Sequence, residues 1–133
     1  MGYRQGIGFN LKYLGVTQLK DVIHFYIGCN LLIDGEHGHK LIGVVCDQCH
    51  LIHYRYNQYG TCSVSVVKPI LRPLSSMVTQ EDREAGRIYR NVIRKRDFYV
   101  DEAHAAKIAY LLSKHFDLFG LIESGQAIDA TNL

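Results

Sequence analysis

The chain contains no tryptophan, and nine tyrosines carry most of its aromatic content. Lys and Arg outnumber Asp and Glu by only 15 to 13, a formal net charge of +2. That small surplus excludes a protein that coats nucleic acid over its whole surface, so any basic partner site has to come from clustering. No apolar run is long enough to span a bilayer. The opening "MGYRQGIGFNLKYLGV" has Arg4 but neither an apolar h-region nor a cleavage pattern, so no signal peptide is expected. Gly6 stands where a myristoylation signal wants Ser or Thr. Ser75, Ser76 and Ser124 lack a Gly-x-Ser-x-Gly elbow, no paired-carboxylate motif stands out, and "GIGF" (6–9) lacks the Lys-Ser/Thr of a phosphate loop. Internal repeats and low-complexity linkers are missing too. The expectation is a cytoplasmic, non-enzymatic protein whose four cysteines stay reduced.

What is present suffices for one packed domain. Apolar residues make up 47% of 133, close to the globular average, and nothing reads as disordered. Residues 1–16 are Gly-rich and read as an irregular arm. "TQLKDVIHFYIG" (17–28) reads as a short helix, with Thr17 as N-cap, Gly28 as stop, and Leu19, Val22, Ile23 and Tyr26 on one face. Strands follow at "CNLLID" (29–34), "KLIGVVC" (40–46), "CHLIHYRY" (49–56) and "TCSVSVVK" (61–68). "GEHGHK" (35–40) reads as a polar loop exposing His37 and His39, and "NQYG" (57–60) as a turn. Strand, short turn, strand predicts an antiparallel meander, curled into an SH3-like or other partly open barrel. Pro69 and Pro73 make "KPILRPLSSM" (68–77) an extended exit. Residues 78–133 are then helical and pack on this sheet. A helix over about 80–95 is opened by the capping-box-like "TQED", a short strand runs over 96–102, and a helix over 102–115 is capped by Asp101. One more helical turn covers 116–125, and "QAIDATNL" is left as a tail. The fold class is α+β.

"GVVCDQCHLIHY" (43–54) is the most conspicuous chemistry-bearing stretch, with a literal C-x-x-C-H. Cys46 and Cys49 would make half of a zinc knuckle, for which Cys29 and Cys62 are the remaining thiol candidates. No second C-x-x-C or H-x₃₋₅-H completes it, and strand alternation puts Cys49 and His50 on opposite faces. Haem attachment would need export, and a thioredoxin-type pair would need a helix directly after the motif. The favoured reading is a β-turn through Asp47-Gln48 with two small cysteines beside it, zinc remaining as an alternative.

The helix after "TQED" carries a quieter pattern. Arg83, Arg87, Arg90 and Arg94 are spaced by four, three and four, so they fall in a stripe roughly 60° wide. Ala85, Ile88, Tyr89, Val92 and Ile93 take the other side, and Lys95 and Arg96 extend the positive charge. Aligned guanidinium forks suit phosphates and carboxylates, whereas a solvated helix face with internal ion pairs is the plainer alternative. Tyr54, Tyr56 and Tyr59, near Arg55, would offer a stacking surface for bases or a peptide. His104 and His115 fall on similar faces of the last helix, as surface or interface residues. The strand "TCSVSVV" (61–67) and the Ala-rich helix "EAHAAKIAYLL" (102–112) each offer a surface for a homo-oligomer.

"VKPILRPLSSM" (67–77), the acidic helix start behind it and "SKHFDLFGLIESGQAID" (113–129) resemble a family of small proteins from phages and integrated mobile elements of gut Bacteroidota. Gly28, Cys29, Gly43, Val44 and Asp47 follow a similar spacing, so the resemblance runs over roughly residues 17–133. It implies an accessory protein acting inside a bacterial host cell, and assigns no catalytic residue. The expected function is binding of nucleic acid or an acidic host protein through Arg83, Arg87, Arg90, Arg94, Lys95 and Arg96, with Tyr54 and Tyr56 as further contacts. The alternatives are an inhibitor of a host defence system, acting by protein binding or by sequestering a nucleotide signal, and a zinc-stapled interaction domain.

Overall fold

A computed structural model describes residues 17–45, 49–96 and 100–133. Among these, three helices accompany a six-stranded, mostly antiparallel sheet: α1 (Leu19–Val22), α2 (Thr79–Arg96) and α3 (Val100–Ser113). The strands are β1 (Asn30–Ile33), β2 (Glu36–Val44), β3 (His50–Arg55), β4 (Gln58–Ser63), β5 (Val67–Leu71) and β6 (Ile128–Asp129). Their order is β4-β3-β2-β1-β5-β6. The first four form the expected meander; β5 then returns antiparallel to β1, and β6 joins β5 in parallel.

Two tight turns set the register. Asp34 and Gly35 both have positive φ, as do Tyr56 and Asn57, the pattern of two-residue hairpins whose twist matches the strands. This corrects two expectations. "GEHGHK" is mostly strand, because Asp34-Gly35 alone makes the turn and β2 begins at Glu36. The next turn likewise falls at Tyr56-Asn57, so "NQYG" is largely the start of β4. His39 consequently lies on the inner face, only 6% exposed, while His37 is exposed. The run "TCSVSVVK" is not one strand either. After Ser63 it tightens into a 3₁₀ turn (Val64–Val66), with the Ser63 hydroxyl accepting the Ser65 N–H, and resumes as β5. Alternation alone does not show such a break, since the same residues satisfy a strand period.

The apolar face expected for residues 19–26 is real. Leu19, Val22, Ile23 and Tyr26 are all buried, each contributing about 1.5–3 kcal/mol relative to exposure. The helix is only partly α, continuing as 3₁₀ over Ile23–Tyr26, and Gly28 follows in a left-handed conformation. Thr17 is not its cap. Gln126 does that work from the far end of the chain: its Oε1 accepts the Leu19 N–H at 2.8 Å, and its Nε2 donates to the Thr17 carbonyl at 2.7 Å. The supposed tail is therefore anchored, and its Ile128 and Asp129 pair with Ile70 and Leu71.

The helical part also shifts. The cap of α2 is displaced by one residue, with Glu81 rather than Asp82 reaching back to the backbone N–H of Val78 at 3.1 Å. The strand expected over 96–102 does not begin at Arg96, which ends α2, and residues 100–102 open α3; residues 97–99 lie outside those described. Asp101 sits in the first turn of α3, not before it. Residues 116–125 form a compact turn instead of a helix. The two stretches that carry the family resemblance meet here. Arg72 donates its N–H to the His115 carbonyl and accepts from Asp117 N–H, while its guanidinium lies 4.3 Å from the centre of the Phe116 ring.

Candidate functional site

Helix α2 is held by its opposite face. Ala85 is buried in a cluster with Leu111 and Phe116, and Tyr89 packs its ring edge-on against His104 of α3 at 5.0 Å. The Arg72 guanidinium grips both Glu81 oxygens, at 2.6 and 2.7 Å, and thereby holds the Glu81 carboxyl down at about 2. Anchored this way, α2 turns Arg83, Arg87 and Arg90 to solvent. The expected stripe therefore exists on the described residues; the side chains of Arg94, Lys95 and Arg96 lie outside them.

The stripe is not uniformly free. Arg87 forks onto the Glu84 carboxylate one turn earlier, which lowers the Glu84 carboxyl and raises the Arg87 guanidinium. Glu84 therefore offsets part of the stripe's charge, an internal ion pair of the kind the plainer alternative expects. Among the described residues, neither Arg83 nor Arg90 makes an ion pair. Arg90 lies back along the helix, its Nη1 3.0 Å from where a Cβ on Gly86 would sit. Two unpaired guanidiniums, two turns or about 10 Å apart along the axis, remain to meet an anion.

Tyr54 and Tyr56 are elsewhere. Tyr54 pairs across β3–β4 with Tyr59, ring centres 4.8 Å apart, and its hydroxyl donates to Asn57 Oδ1. Lys40 faces Tyr54 from β2, which completes a row over three strands. Tyr56 stands in the hairpin turn, exposed, with the Arg55 guanidinium 4.5 Å from its ring centre. β3 lies three strands from β5, after which α2 begins, so the tyrosines and the arginine stripe are separate surfaces.

The cysteines take different places as well. Cys29 is fully buried, and burial pushes its thiol up to about 12, so it stays protonated as a small core residue. Burial raises the Cys62 thiol too. Cys46 lies outside the described residues, and among those described no three His, Cys, Asp or Glu side chains are placed to hold a metal.

Sequence reasoning missed one cluster. His39 and His53 meet edge to face at 4.9 Å on the inner side of β2 and β3. Beside them Arg55 Nη1 is 3.3 Å from Glu36 Oε1, which is itself 3.7 Å from His39 Nε2. The Asp34-Gly35 hairpin signal was the available clue, since it starts β2 early and points His39 inward with Leu41.

A pH dependence follows from the histidines. Burial, then the neighbouring His39, lowers the pKa of His53; burial, then Lys40 and Arg72, lowers that of His115. The folded protein resists protonating them, whereas the unfolded chain takes up those protons below about pH 6.5. Stability is therefore full above that pH and falls as pH drops through the lowered values. The Glu81 and Glu84 carboxyls add a second loss only below about pH 4.5. Urea unfolding at pH 7.5, 6 and 5 checks this, and a flat profile across that range would contradict it.

No known family model, curated protein or solved structure matches this chain.

Proposed function

We propose that this protein is a non-enzymatic binding module that engages an anionic partner, nucleic acid in the first instance, through the arginine face of α2. The observation that supports this reading is the exposure of Arg83, Arg87 and Arg90 along one face of an 18-residue helix. The opposite face of that helix is committed to the core through Ala85. Arg is the residue whose planar fork meets phosphate oxygens in pairs. We propose further that the sheet is an SH3-like barrel. The four-strand meander, the 3₁₀ turn at Val64–Val66 and the antiparallel return of β5 to β1 support that assignment.

Fluorescence anisotropy with labelled single-stranded DNA, duplex DNA and RNA at two salt concentrations is the test. Binding should weaken with salt, and the Arg83→Gln/Arg90→Gln double variant should flatten the log–log salt slope by about 1.4–1.8. Affinity at low salt should fall roughly tenfold or more in that variant. Equal binding by the variant and the parent protein, or none at low salt, would refute the proposal.

A further inference from the structure

Five buried side-chain nitrogen or oxygen atoms lack a hydrogen-bond partner among the described residues, and four of them sit in one place. They are Nδ1 and Nε2 of His39, Nδ1 of His53 and Nε of Arg55. A buried polar atom left unpaired costs about 1–3 kcal/mol, so four together mark a place where a partner belongs. The His39 side chain is only 8% exposed and the Arg55 side chain 25%, while that of Glu36 beside them is 63% exposed.

We propose that this inner end of β2, β3 and β4 is a binding site for a single oxyanion group, with the Glu36 carboxylate as its resident stand-in. Each neutral imidazole pairs one N–H donor with one acceptor nitrogen, whereas Arg55 can only donate, so the guanidinium tips the cluster toward donors. Glu36 Oε1 sits between Arg55 Nη1 and His39 Nε2, and so marks where an anionic oxygen rests. Its long contact to His39 leaves room for a better-placed oxygen. A metal ion suits the site less, because the Arg55 guanidinium already supplies positive charge to that carboxylate.

Two glycines let the His53 and Arg55 side chains lie close against the strands. A Cβ on Gly60 would stand 2.7 Å from His53 Cε1, and one on Gly38 would stand 3.3 Å from Arg55 Nε. Any other residue at 60 would drive the His53 ring from its place against His39. The ligand enters from the Glu36 side, where the cluster meets solvent.

The test uses the full chain labelled with ¹⁵N, following the imidazole nitrogens by long-range ¹H–¹⁵N correlation at constant ionic strength. The Glu36→Gln variant removes the competing carboxylate at an exposed position. Acetate and inorganic phosphate are titrated separately, to distinguish a carboxylate ligand from a phosphate one. The expected result is a saturable shift of the His39 and His53 nitrogens by at least one anion, with a Kd of about 1 mM or tighter, and about tenfold weaker in the parent protein. Adding Arg55→Lys, which keeps the charge but removes the fork, should abolish saturation. Three outcomes would overturn the proposal: no saturable shift with either anion, an equal shift with Arg55→Lys, or saturable zinc binding without anion binding.

Discussion

Replacing Phe116 with alanine is expected to cost about 3–5 kcal/mol and to lower Tm by roughly 10–20 °C. The ring is fully buried against Ala85 and Leu111, and its outer side is covered by the Arg72 guanidinium. Its backbone is equally committed. The Phe116 N–H donates to the Leu111 carbonyl at 3.2 Å and His115 donates to Leu112 at 2.9 Å, the two bonds that close a helix end in a Schellman motif. His115 holds the left-handed position there, with φ of +64°, where glycine is usual. The Phe116 carbonyl accepts the Tyr26 hydroxyl at 2.8 Å, and that hydroxyl also accepts the Leu118 N–H at 3.2 Å. One residue thus ties the end of α3 to β5, to α2 and to the N-terminal helical segment. Phe116→Leu should lose less, because it keeps apolar volume and forfeits mainly the contact with Arg72. Urea unfolding of both variants measures the difference. A loss below about 1 kcal/mol for the alanine variant would show that the seam does not depend on this ring.

That seam explains which parts of the fold were legible. The stretches 67–77 and 113–129 stood out as markers of a resemblance, and in three dimensions they are each other's packing partners. Helix positions followed from apolar spacing, and the buried set Leu19, Val22, Ile23 and Tyr26 was visible because helical periods report a face directly. The errors came where one local pattern satisfies two geometries. "TCSVSVVK" alternates whether or not it breaks at Val64. "GEHGHK" looks polar enough for a loop, yet Asp34-Gly35 makes the whole turn. The cap that Gln126 supplies to α1 spans 107 residues of chain, and no local rule reaches that far.

The site divided in the same way. An arginine stripe is a helical period, so its direction was readable; its partial neutralisation by Glu84 was not, because that depends on rotamers. Tyr54 and Tyr56 were grouped with the arginines by chemistry alone, and the strand order separates them. The His39–His53–Arg55 cluster needed a register that places Leu41 opposite His53. One residue of slip between β2 and β3 would have put His53 and Arg55 on the opposite face from His39.

Asp117→Ala carries the second large effect, expected at about 1.5–3 kcal/mol. The residues after Phe116 look helical by apolar spacing, but their turn is organised by one carboxylate. Asp117 Oδ1 accepts the N–H groups of Phe119 at 3.2 Å and Leu121 at 3.0 Å, and Oδ2 accepts that of Ile122 at 2.9 Å. The turn seats Leu121, which is fully buried, and closes where Gly125, with φ of +83°, lets Gln126 N–H reach the Leu121 carbonyl at 2.8 Å. Gln126 in turn caps α1. Removing the carboxylate orphans three donors at once and loosens a clamp on an element far away in sequence. Asp117→Asn should cost less, since one oxygen still accepts while the new amide turns a donor toward N–H groups. Amide hydrogen exchange should quicken at Phe119, Leu121 and Ile122 and also at Leu19, whose N–H Gln126 holds. Faster exchange confined to the turn, with Leu19 unchanged, would show that the Gln126 clamp does not depend on Asp117.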